Sequence, residues 1–188
     1  AIGRDVPYRG ADSTLIVVPA LQYEGERAYL RGLRYGWRLA GGERGGIDLV
    51  AQARMDGFKA ADSDFFTGMA TRQRSLDIGL AGRWRPGVGE LDASVVTDAL
   101  GRHRGQAAFV GWGYPWRRGP LLLRPELGLR WWSADLVDYY AGVRPEEAQP
   151  GRSACRGDHG LLGAAAPRGV LALPMRWALF GRVGVERL

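Results

Sequence analysis

The side chains able to do chemistry are few and poorly grouped. His103 and His159 are the only histidines, both fall in predicted loops, and no HxH or HxxxH spacing offers paired ligands to a metal. Cys155 is the single cysteine, so neither an internal disulfide nor a thiolate metal site can form. A hydrolase would need a nucleophilic serine beside a histidine base, and His103 with Ser94 and Asp98 is the arrangement that could supply one. No motif frames that trio, and His103 reads as a solvated turn residue. A lipid-modifying enzyme built on His103 is therefore the third-ranked reading. Gly41-Gly42 and Gly45-Gly46 precede neither a helix pattern nor a Lys-Ser/Thr pair, so they read as turns and not as phosphate cradles. No catalytic residue, cofactor or metal is expected.

Binding chemistry comes next. The formal charge is +6, but the arginines are spread from Arg4 to Arg187 among Asp and Glu, and Lys59 is the only lysine. Nucleic-acid binding needs clustered cations, so it is not expected. No apolar run approaches the ~18–20 residues of a spanning helix. The longest candidate is Leu161 to Pro167. The chain opens on Ala1-Ile2-Gly3-Arg4-Asp5, which is no signal peptide, so a leader is expected to have been removed or the N-terminus to be incomplete. A length of 188 residues suits one domain, here residues 1–188.

The elements that position these side chains follow a period of two, which sends successive residues to opposite faces of a strand. From Tyr29, Leu33, Tyr35, Trp37 and Leu39 alternate with Gly32, Arg34, Gly36 and Arg38. Ile47, Leu49, Ala51 and Ala53 oppose Asp48, Gln52 and Arg54; Leu76, Ile78, Leu80 and Trp84 oppose Asp77 and Arg83. Leu91, Ala93 and Val95 oppose Asp92 and Ser94, and Ala108, Val110, Trp112, Tyr114 and Trp116 oppose Gly111 and Gly113. Leu127, Leu129 and Trp131 oppose Arg124, Glu126, Gly128 and Arg130, while Trp177, Leu179, Val183 and Val185 oppose Arg182 and Glu186. With the less regular segments Thr14 to Tyr23 and Leu161 to Leu171, nine strands are visible. Turns near residues 41–45, 86–89, 117–120 and 171–174 are short, whereas 58–71, 100–106 and 133–160 are longer. Short turns at one end and long loops at the other are the signature of a transmembrane β-barrel. The connection at 24–28 is shorter than its place in that alternation requires.

A soluble sandwich also alternates, so the distribution of aromatics and charges has to decide. Trp37, Trp84, Trp116 and Trp131 fall near segment ends, where indoles would meet lipid headgroups. The other face carries both signs: Arg34, Arg38, Asp48, Arg54, Asp77, Arg83, Asp92, Arg124, Glu126, Arg130, Arg182 and Glu186. Facing a narrow lumen, these groups would pair and offset each other's desolvation. The fold expected is an all-β, antiparallel transmembrane barrel in contact with outer-membrane lipid. Such a lumen also motivates the alternative of a small-solute channel. On the long loop, Tyr139, Tyr140, Arg144, Glu146 and Glu147 form a candidate partner loop, although the tyrosines could instead pack over the barrel mouth.

The pieces Pro7-Tyr8-Arg9-Gly10-Ala11-Asp12, Leu21-Gln22-Tyr23-Glu24-Gly25-Glu26-Arg27, Asp62-Ser63-Asp64 with Gly68-Met69, Arg74-Ser75-Leu76, and Asp138 to Ala148 followed by Gly151-Arg152 resemble the MipA/OmpV family. The resemblance runs in order over nearly the whole chain. It implies a Gram-negative outer-membrane barrel, described in one branch as a scaffold linking a murein transglycosylase to a peptidoglycan synthase. Family members usually carry a strand before the Pro-Tyr-x-Gly piece and end on an aromatic residue, whereas this chain ends Glu186-Arg187-Leu188. The nine strands are thus expected to belong to a barrel of about ten to twelve, truncated at both ends.

Overall fold

The computed structural model describes residues 2–3, 15–16, 22–62, 64–165, 168–172, 178–182 and 185–187. Their elements, in chain order, begin with β1 (Ile2–Gly3), β2 (Leu15–Ile16), β3 (Gln22–Glu24), β4 (Ala28–Arg31), β5 (Arg34–Gly42) and β6 (Gly45–Arg54). They continue with β7 (Ser75–Gly87), β8 (Gly89–Asp98), β9 (Gln106–Gly113), β10 (Trp116–Arg118), β11 (Leu121–Arg124) and β12 (Glu126–Trp132). A helix, α1 (Ala134–Ala141), precedes β13 (Gly160–Ala165), β14 (Arg168–Ala172), β15 (Ala178–Arg182) and β16 (Val185–Arg187). Ten strands form one antiparallel sheet in the order β16-β13-β12-β9-β8-β7-β6-β5-β4-β3, and a second sheet, β10-β11-β14-β15, continues the same ribbons toward the short-turn end. Pro115 and Pro125 mark two of the breaks between the sheets. A proline cannot donate to the ladder. Strands adjacent in sequence are adjacent in space throughout the large sheet, so the wall is an up-and-down meander whose edges are β3 and β16.

Register explains which side chains share a face. Trp37, Leu49, Leu80, Val95, Ala108, Trp131 and Leu161 lie in one cross-strand row. The next row holds Arg38, Asp48, Ala81, Ser94, Phe109, Arg130 and Leu162, on the opposite face. The apolar face is open: Leu49 is 48% exposed, Leu80 51% and Leu129 50%. Asp77, on the charged face, is 0% exposed. A sheet folded for water would bury its leucines and solvate its aspartates. This inversion is the pattern of a wall that meets hydrocarbon with one face, with its backbone groups satisfied strand to strand.

Glycines opposite aromatic rings set the thickness of the charged face. A Cβ at Gly36 would lie 2.1 Å from the Tyr29 ring, and one at Gly111 or Gly128 would lie 2.5 or 2.7 Å from Phe109. Each ring therefore lies flat on bare backbone.

Several expectations change. The Tyr29–Leu39 segment is two strands, because the chain reverses at Gly32-Leu33, with Gly32 at φ 61. A two-residue reversal swaps the parity of the faces, so Tyr29 pairs with Gly36 and is buried on the charged side. The extra reversal directs the 25–27 turn toward the short-turn end and leaves the two-residue Gly32-Leu33 reversal as the short connection at the long-loop end. It also accounts for ten strands where nine were expected; of the described residues between Thr14 and Tyr23, Gln22 and Tyr23 join the large sheet and Leu15–Ile16 pair with β1. Trp37 stands fourth in the nine-residue β5, in mid-strand and away from its ends. The 133–160 connection contains α1, whose N-cap is Ser133. The Pro7–Asp12 motif piece, Trp177 and Val183 lie outside the described residues.

Candidate functional site: a folded cap over the charged face

The charged series resolves into three clusters. Near β3, Glu24 accepts from Arg31 Nε at 2.5 Å and Arg38 Nη2 at 2.9 Å. The Tyr29 hydroxyl donates to Asp48 at 2.9 Å, with the Arg31 guanidinium 4.3 Å from the ring centre. Toward the short turns, Arg83, Arg85 and Arg124 meet Glu90, Asp92 and Glu126, with separations between 2.6 and 3.4 Å. At the long-loop end, Arg54 donates twice to Asp77, at 2.8 and 2.6 Å, and once to Asp56 at 2.9 Å. Arg34 and Arg130 are half-buried, the latter with its guanidinium 6.0 Å from the Phe109 ring. Arg182 and Glu186 sit in β15 and β16, and their side chains lie outside the described residues.

Above the third cluster, the 55–74 and 133–159 loops fold into a cap. Its apolar centre is Phe58, Phe66 and Met69, the two rings stacked at 4.2 Å. Arg72 and Glu147 form a buried pair of two bonds, 3.0 and 2.8 Å. Burial raises the affinity of the Glu147 carboxyl for its proton. The Arg72 guanidinium and the N–H groups of Ala70 and Arg144 outweigh burial and lower the pKa to about 2. Arg152 ties the loops together by donating to the carbonyls of Phe65, Thr67 and Glu147. Helix α1 lays Leu136 and Tyr140 into a cluster with Val50, Val96 and Ala107, which belong to the charged face. Gly105 permits that approach, since a Cβ there would come 2.5 Å from the Leu136 nitrogen.

The candidate partner loop is largely internal. Tyr140 donates to the Gln73 carbonyl at 3.2 Å, and the Tyr139 hydroxyl accepts from the Gln73 N–H at 2.9 Å. Burial pushes the Tyr140 hydroxyl pKa up. Glu147 is buried, while Arg144 and Glu146 remain exposed. The tyrosines thus pack the loop over the sheet end.

His103 is not a solvated turn residue; it is 3% exposed. Its Nε2 lies 3.0 Å from Asp77 Oδ1, and its Nδ1 accepts the Gly105 N–H at 3.0 Å. Both ring nitrogens are engaged, so neither is available as a general base. Ser94 stands four residues down β8 from Asp98, roughly 13 Å at ~3.3 Å per residue. Asp77, Asp98 and His103 converge closely enough to suggest ligands. Yet Asp77 is bonded to Arg54, and Asp98 accepts from Ser75 and three backbone N–H groups. Those contacts occupy the oxygens a cation would need. Sequence reasoning missed Arg72, Arg152 and the role of Asp98, because their partners are fixed by the fold; Arg72 and Glu147 are 75 positions apart.

An antiparallel meander, greasy outside, ion-paired on its other face and capped by folded loops, defines a protein of the outer-membrane β-barrel class. The chain belongs to the MipA family, described as MltA-interacting protein MipA, which matches residues 1–188, and it is an outer-membrane protein. It is 29% identical over 153 residues to the MltA-interacting proteins of Escherichia coli K12 and Shigella flexneri, covering 80% of this chain and 61% of each relative. YiaT of Escherichia coli O157:H7, whose name places it in the outer membrane, is 27% identical over 145 residues, 76% of this chain and 59% of that one. The chain spans about three-fifths of the length of these relatives. No solved structure matches it.

Proposed function

We propose that this chain is the membrane wall of a non-catalytic scaffold that holds a murein transglycosylase at the outer membrane and bridges it to a peptidoglycan synthase. The transglycosylase is suggested by the relatives' name, MltA-interacting protein. The observation that carries the scaffold over a channel is the cap. Helix α1, the Arg72–Glu147 pair and Arg152 fill the long-loop end of the charged face, where a solute would have to enter.

Barrels of this class turn their short connections toward the periplasm and their long loops outward. A murein enzyme is periplasmic, so it would meet the short turns and not the Tyr139–Tyr140 loop. Among those turns, 43–44 and 117–120 present exposed Arg44, Arg117 and Arg118 beside exposed Glu43, while 25–27 adds one exposed residue of each sign, Glu26 and Arg27. The test is binding of the full-length protein, in detergent, to a purified murein transglycosylase. Reversing Arg44, Arg117 and Arg118 to Glu should weaken binding at least tenfold, on the order of 1.4 kcal/mol. Tyr139→Ala should leave binding unchanged. Equal binding by the triple variant rejects the short-turn surface. Reproducible ion-selective openings of the wild-type protein in planar bilayers would favour a small-solute channel instead.

A further inference from the structure

We propose that the turn between β8 and β9, residues 99–105, binds a phosphate-bearing lipid headgroup through Arg102 and Arg104. The turn is a preformed frame. The Asp98 carboxylate accepts the N–H groups of Leu100, His103 and Arg104 at 2.9, 2.7 and 2.9 Å, together with the Ser75 hydroxyl at 2.6 Å. His103 is driven inward as the anchor, fixed between Asp77 and the Gly105 N–H. With the middle residue buried, its two neighbours are left exposed on either side.

Three observations point to an anionic ligand. Among the described residues, neither the Arg102 nor the Arg104 guanidinium has a hydrogen-bonding or ionic partner, whereas the buried loop-end arginines Arg54, Arg72 and Arg152 are all engaged; Arg74, Arg144 and Arg156 are exposed on the cap. Asp98, the nearest acid in sequence, is already saturated by its own backbone bonds. Arg104 is also the one described non-glycine residue with a positive φ, at 50°. Glycine would take that conformation without steric cost, as Gly101 does at 65° in the same turn. A strained arginine held by a saturated frame is the kind of outlier that accompanies a ligand site.

Location selects the ligand. The turn tops the strands that carry Ile78 and Val95 on the apolar face, and Leu100, 53% exposed, stands beside the two arginines. It therefore stands where a hydrocarbon band gives way to headgroups, the level at which arginine reaches for phosphate. A guanidinium fork matches phosphate oxygens two at a time. The site does not depend on the scaffold reading, and a failure of one leaves the other intact.

The test uses the full chain in uncharged detergent micelles doped with lipid A or with dephosphorylated lipid A, and separately in buffer containing inorganic phosphate. Lipid A should bind, and the dephosphorylated form should bind at least tenfold more weakly. Arg102→Gln with Arg104→Gln should weaken lipid A binding about a hundredfold, roughly tenfold for each lost charged hydrogen-bonding group. Arg104→Gly should weaken it about tenfold while keeping or raising the thermal midpoint, an outcome that separates lost contact from lost folding. Equal binding of the two lipids, or an unchanged affinity in the double variant, overturns the proposal. Tight binding of inorganic phosphate with no preference for lipid A also overturns it, by removing the lipid.

Discussion

The Arg72–Glu147 pair is the strongest single lever on the cap. Both side chains are almost wholly buried, at 1% and 3%. Removing one partner strands the other charge, a loss that typically costs about 3–5 kcal/mol. Arg72→Ala is therefore expected to open the 55–74 and 133–159 loops to proteolysis while the wall stays folded. The pH dependence has a definite sign. The Glu147 pKa in the fold, about 2, lies below its ordinary 4.5, so its stabilisation is complete above 4.5 and is lost as pH falls toward about 2. Amide protection in the Ala70–Arg72 stretch, taken as the exchange rate relative to that of an unstructured chain at the same pH, should fall across that window in the wild type, and much less in Glu147→Gln. Little of this is legible in the sequence, where Glu146-Glu147 reads as a solvated pair. Only the fold brings Arg72 to one of the two.

At the scale of elements, alternation made most of the wall readable, since β6, β7, β8, β9 and β12 each keep one parity over seven or more residues. It fails where a reversal is too short to interrupt it. Gly32-Leu33 turns the chain within two residues and moves Tyr29 to the other face, which a parity count cannot register. Gly36 records the consequence: Gly36→Ala would drive a methyl into the Tyr29 ring. Strain of that kind costs about 1–3 kcal/mol, to be read as a lower urea midpoint. Helix α1 was missed because eight residues within a long connection leave little periodicity to detect. In hindsight Ser133 as N-cap, with Leu136 and Tyr140 four apart, is its mark. Ser133→Ala removes the acceptor for Gln106 and Leu136 and should cost about 1 kcal/mol, seen as faster exchange in the first turn of the helix.

For the molecule as a whole, solubility rules are inverted and the inversion is consistent across strands. The exposed Leu80 and Leu129 sit on one face, while Asp77, Glu90 and Arg54 are buried on the other or at its ends. Leu80→Arg on the open face should destabilise the protein in lipid bilayers by about 2–4 kcal/mol, whereas Ser94→Arg on the opposite face should show no such depth-dependent penalty. Along β6, β7, β8, β9 and β12 the alternation itself was legible from sequence, because lipid and ion pairing impose opposite chemistries on alternate positions.

The most direct measurement is collisional accessibility along β7 and β8 in lipid vesicles. Nitroxides would be attached to Ile78→Cys, Leu80→Cys and Val95→Cys, and to Ala81→Cys and Ser94→Cys, in a Cys155→Ser background. Nitroxides at 78, 80 and 95 should collide readily with membrane-dissolved oxygen and poorly with an aqueous nickel chelate, while those at 81 and 94 should lose the oxygen response. A label at 80 shielded from both reagents, with 81 and 94 fully open to the chelate, would make this a soluble sheet with a dry leucine core and contradict the account.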